Sequence, residues 1–122
     1  MSYLKTGVSI FAAAIVLSLA SAPIAGATTG TPYKWGNYVK AFFSTDTPGT
    51  TSADAHLQRW IGWTWQNLDS VSYRGGGQHA THLDWYCKGV GTYTYRLTSS
   101  WYNAYGDVVP YPIYSSQIRI TC

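Results

Sequence analysis

The stretch Leu83-Asp-Trp-Tyr-Cys-Lys-Gly-Val-Gly-Thr-Tyr-Thr-Tyr-Arg-Leu97 alternates in its chemistry. Leu83, Trp85, Cys87, Tyr93, Tyr95 and Leu97 hold the odd positions, with Asp84, Lys88, Thr92, Thr94 and Arg96 between them. A period of two sends one set to one face of a pleated strand and the other set to the opposite face. Gly89 and Gly91 interrupt the run, where a bulge or tight turn falls. The two halves, 83–87 and 92–98, therefore read as a central pair of strands. Cys87 lies inside the pattern, and the other cysteine, Cys122, is the last residue of the sequence.

Upstream, the first 27 residues read as a cleaved secretory signal peptide. Lys5 gives a short positive start, Gly7 to Ala20 is almost wholly apolar, and Ala25-Gly26-Ala27 offers a small-x-small cleavage site. Ala20-Ser21-Ala22 is followed by Pro23, which disfavours cleavage there, so the mature chain is expected to begin at Thr28. The apolar run is shorter than the ~20 residues that span a bilayer, so no membrane span is expected. Residues 28–122 are enough for one domain only. An exported chain with two cysteines is expected to join them. Closing the 36-residue loop from Cys87 to Cys122 is worth about 4 kcal/mol in the chain-entropy treatment.

Outward from the central pair, Tyr33–Ser44 reads as a first strand and 45–52 as a loop. Residues 53–68 fit a strand through Ala53, Ala55, Leu57, Ile61, Trp63 and Trp65. Leu57, Trp60, Ile61, Trp65 and Leu68 also fit a helical stripe, with Ser52 as its cap. Gly62 and Trp63-Thr-Trp65 favour strand, while a short helical turn over 53–58 stays compatible with the pattern. After a turn at 67–70 come Val71 and Tyr73, then the break at Gly75-Gly76-Gly77. Pro110 and Pro112 confine 108–114 to an edge or loop, and Ile118, Ile120 and Cys122 make a closing strand. The sum is an all-β fold, a small antiparallel β-sandwich of six or seven strands.

Composition narrows the function. Beyond residue 27 there are seven Lys and Arg against five Asp and no Glu, a net charge of +2. The cations are scattered singly, which argues against nucleic acid. No Gly-x-Ser-x-Gly elbow occurs, and a glycosidase pair would have to come from aspartates in turns or on polar faces. No enzymatic constellation or cofactor motif stands out. His79-Ala-Thr-His82-Leu-Asp84 is the densest set of metal-ligand types. On a strand, however, His79 faces away from His82 and Asp84, and the spacing fits no standard zinc motif.

The aromatic excess is the best functional clue: all six Trp and ten of the eleven Tyr lie beyond residue 27. Trp60 falls off the phase of its neighbours and is expected at the surface. Trp101, Tyr102 and Tyr105 cluster beside a turn, and Tyr111 and Tyr114 flank prolines. Exposed aromatic clusters mark interaction surfaces. Such rings stack on sugars, with Asn103, Asp107 or Gln117 supplying directional hydrogen bonds. The expectation is a secreted, extracellular, non-enzymatic binding module for carbohydrate or cell-envelope material, its site Trp60, Trp101, Tyr102, Asn103, Tyr105, Asp107, Tyr111 and Tyr114. The alternative is one secreted protein partner, with the chain an adaptor or accessory subunit of an antibacterial or toxin assembly, or an inhibitor.

Overall fold

A computed structural model describes residues 27–47, 49, 51–108 and 112–122. The expected signal peptide and Tyr111 lie outside the described residues, save Ala27. The described residues form nine strand segments and no helix. In chain order these are β1 (Thr28–Thr29), β2 (Tyr33–Trp35), β3 (Tyr38–Thr47), β4 (Ser52–Trp60), β5 (Trp65–Tyr73), β6 (Gly77–Tyr86), β7 (Thr92–Tyr102), β8 (Ile113–Tyr114) and β9 (Ile118–Thr121).

Two antiparallel sheets pack together. In the first, β3 carries β6 on one side and the broken edge β1–β2 on the other. In the second the order is β5-β4-β7, with β8 and β9 sharing the far edge of β7. At the break in that edge, the Ser115 hydroxyl accepts the Leu97 amide at 2.9 Å and the Leu97 carbonyl accepts the Ser115 amide at 2.8 Å. The nine segments thus occupy seven strand positions, in keeping with the sandwich expected from the sequence.

Alternation sets the core. Val39, Ala41 and Phe43 of β3, Ala53, Ala55 and Leu57 of β4, Leu83 of β6, and Tyr95, Leu97 and Trp101 of β7 all point between the sheets. Tyr95 is fully buried with its hydroxyl short of any hydrogen-bond partner. Burial raises its pKa, partly offset by the charge of Arg59, which pairs across from it. Cys87 and Cys122 are bonded, fastening the end of β9 beside the link from β6 to β7. On the opposite flank, Asp69 of β5 accepts the amide of Asp84 on β6 at 2.9 Å, satisfying one donor of an otherwise open sheet edge.

Four details depart from the sequence expectation. The run 33–44 is not one strand: Gly36, at φ 60°, and Asn37 turn it into the β2–β3 hairpin. Residues 53–68 are likewise a hairpin, reversed at 61–64 with Gly62 at φ 104°, not a strand ending in a turn at 67–70. Strand β4 runs unbroken through 53–58, so the helical turn does not form. Finally, 83–87 and 92–98 are not partners; β6 and β7 lie in opposite sheets, and Cys87 stands where the chain crosses between them. Period two specifies which face a residue takes but not which strand lies beside it.

Candidate functional site

Strands β4 and β5 keep register from Ala53↔Tyr73 down to Leu57↔Asp69, then shift, so that Gln58 opposes Asn67 and Trp60 opposes Trp65. Leu68 is the extra residue of this bulge. Above it Val71 and Tyr73 pack against the core; below it Trp65 turns to the outer face of the sheet. There it meets Trp60, ring centroids 5.4 Å apart and edge to face. Trp60, Trp65, Thr94 and Gln117 line a shallow groove of about 290 Å³, open to solvent.

A row of polar groups runs beside the groove on the same outer face of the sheet. The Arg96 guanidinium lies between Trp65 and Tyr114, 4.1 and 4.4 Å from their ring centroids. Its Nε donates to Gln58 Oε1 at 2.8 Å, and Gln58 Nε2 donates to Asn67 Oδ1 at 2.7 Å. Cation–π contact and hydrogen bond together fix the plane of the guanidinium. Burial lowers the Arg96 pKa, with the Tyr114 phenol acting in the opposite sense; a guanidinium stays charged in proteins regardless. Arg119 of β9 pairs with Thr94 and so shares this outer face. Trp63, 78% exposed, stands at the tip of the β4–β5 hairpin beside the groove.

A second aromatic surface covers the outer face of the first sheet. Trp35, Tyr38 and Tyr86 occupy one cross-strand row, and Tyr33, Lys40 and Asp84 the next. Tyr38 and Tyr86 meet edge to face at 5.3 Å. Lys40 donates to Asp84 at 3.2 Å and sits 5.5 Å from the Trp35 ring.

The residues singled out from the sequence divide. Trp60 and Gln117 line the groove, and Tyr114 lies beside it, across Arg96 from Trp65. Trp101 is corrected: it is 1% exposed, packs on Phe43 and donates from Nε1 to Thr45 Oγ1 at 2.7 Å. It continues the odd phase of Tyr93, Tyr95 and Leu97, a signal already present in the sequence. Tyr102, Asn103, Tyr105 and Asp107 sit at the opposite end of the sandwich from the groove. There Asn103 organises a turn, its Oδ1 accepting the amides of Tyr105 and Asp107 at 2.9 and 3.0 Å. Tyr105 projects from that turn, fully at the surface.

The histidine cluster does not converge. His79 stacks on Tyr73 at 4.1 Å, whereas His82 contacts Phe42 and Asp84 pairs with Lys40 on the other face. Among the described residues no three His, Cys, Asp or Glu are placed to hold a metal. Sequence reasoning missed Trp65, Arg96, Gln58 and Asn67, because the Leu68 bulge that assembles them leaves no mark in the hydrophobic pattern. The whole chain matches no family model, no curated protein and no solved structure.

Proposed function

We propose that the chain is a secreted, non-enzymatic binding module that takes carbohydrate or cell-envelope material in the groove lined by Trp60 and Trp65, beside Arg96 and Tyr114. One observation carries this reading: two indoles stand beside a fixed row of amide and guanidinium groups in an open groove. Aromatic faces take the apolar face of a sugar ring, while amides and guanidinium take its hydroxyls. The disulfide, and the lack among the described residues of any helix long and apolar enough to cross a membrane, agree with an extracellular setting.

The test is retention of the full chain on peptidoglycan or insoluble polysaccharide, with elution by free sugar. Trp60→Ala and Trp65→Ala are expected to weaken retention by about tenfold each. Unchanged retention in both variants would remove the groove from consideration. The outer face of the first sheet favours a second reading, attachment to one secreted protein partner. Exposed rings at Tyr33, Trp35, Tyr38 and Tyr86 form the kind of patch that interfaces bury. Loss of a co-purifying protein on Trp35→Ala, with sugar retention intact, would establish that role.

A further inference from the structure

The cations that look scattered in the sequence are gathered by the fold. The strand reversals bring Lys34, Lys40, Arg59, Lys88, Arg96 and Arg119 into the half of the sandwich marked by the Cys87–Cys122 bridge. Only Arg74, of the seven Lys and Arg beyond residue 27, lies at the other end. Five of the six tryptophans share the bridge end, Trp101 being the exception. The acids are either at the other end or already engaged. Asp46, Asp54 and Asp107 occupy the far end, Asp69 is engaged with the Ser70 and Asp84 amides, and Asp84 neutralises Lys40.

Among the described residues, ion pairs form only at Lys40–Asp84 and Arg74–Asp54. The outer face around Arg96 and Arg119 therefore presents positive charge with no acidic side chain opposite it. Arg96 is also pre-set: its Nε is committed to Gln58, and its plane is held between two rings. Its terminal N–H fork is the geometry that takes a carboxylate or phosphate in bidentate fashion.

We infer that the groove is selective for an anionic carbohydrate polymer, one bearing carboxylate or phosphodiester groups, with Arg96 and Arg119 holding the anion while Trp60 and Trp65 take the sugar or polyol. This rests on the carbohydrate reading of the groove and adds its charge class. A membrane surface fits less well. The guanidinium is clamped against the sheet instead of free to reach headgroups, and the two indoles that line the groove pack edge to face against each other.

The test titrates the full chain with polygalacturonate, its fully methyl-esterified form, poly(glycerol phosphate) and vesicles of anionic phospholipid. Binding to polygalacturonate or to poly(glycerol phosphate) is expected, and which of the two binds identifies the anion as carboxylate or phosphodiester. The neutral ester should bind about tenfold more weakly than the free acid if the anion is carboxylate. Affinity for the preferred polymer should fall steeply between about 50 and about 200 mM salt. Arg96→Gln and the surface variant Arg119→Gln should each weaken binding by about tenfold. Arg74→Gln, which removes the same charge at the far end, should stay within about twofold. Because Arg119 is exposed, its variant keeps the test decisive if Arg96→Gln fails to fold. Equal affinity for ester and acid without binding of the phosphate polymer would overturn the charge class and leave the carbohydrate reading standing. An equal loss in Arg74→Gln would reduce the effect to net charge and overturn it as well. Binding to neither anionic polymer, with retention on polysaccharide intact, would overturn the charge class alone; binding to vesicles in place of any polysaccharide would overturn both.

Discussion

Trp101 and Thr45 offer a sharp test of the packing, because one buried hydrogen bond ties the two sheets together at the end away from the disulfide. The indole donates to the threonine hydroxyl at 2.7 Å, and the two residues are 1% and 2% exposed. Trp101→Phe keeps an aromatic ring against Phe43 but leaves the hydroxyl without its donor, a cost of about 1–3 kcal/mol with some lost packing added. Thr45→Val keeps shape and orphans the indole N–H at a similar cost. With both changes no unpaired polar group remains, so the double variant should recover about 1 kcal/mol or more relative to the sum of the singles. In a domain of this size each kcal/mol moves the melting temperature by roughly 4–8 °C. Thermal and denaturant unfolding of the four proteins, followed by circular dichroism, gives the cycle. Additivity within about 0.5 kcal/mol would refute a bonded, buried Trp101 and return that ring to the surface.

Cys87→Ser with Cys122→Ser should lower unfolding stability by about 4 kcal/mol, measured by denaturant titration; a change under about 1 kcal/mol would show that the bridge does not restrain the unfolded chain. Tyr95→Phe removes a buried hydroxyl with no partner and should leave the melting temperature unchanged or raise it. The raised pKa of Tyr95 means that its contribution is complete below pH 10 and is lost as pH rises through the shifted value, so the variant should lose stability less steeply in alkali. Burial pushes the Asp54 pKa up, but hydrogen bonds from Ser72 and Arg74 and the charge of Arg74 prevail and hold it below 3.8. Its stabilisation is present above that pH and lost below it, and Asp54→Asn should flatten the acid limb of a pH–stability curve slightly, Arg74 being exposed.

Much of the architecture could be read from local chemistry. The odd-phase residues of 83–97 do face the interior, from Leu83 through Tyr95 to Leu97, and the two cysteines do pair. The glycine run 75–77 does break the chain, and the break falls where it crosses from one sheet to the other. What escaped was set by neighbours distant in sequence. Alternation gave β6 and β7 their faces but could not say that they belong to different sheets. The groove escaped for a related reason: one bulged residue, Leu68, turns Trp65 out to join Trp60, although the two share no phase in the sequence. The cations at the bridge end are far apart along the chain and become neighbours only through antiparallel reversal. Trp101 is different, since its phase placed it inside and only its nearness to a turn argued otherwise.

Indole N–H resonances offer a direct view of where a ligand sits. Titrating the labelled chain with the oligosaccharide that elutes it from resin should shift the Trp60 and Trp65 signals together, with Trp101 unmoved. Shifts confined to Trp35, or none at any tryptophan while binding is saturated, would contradict the groove as the binding surface.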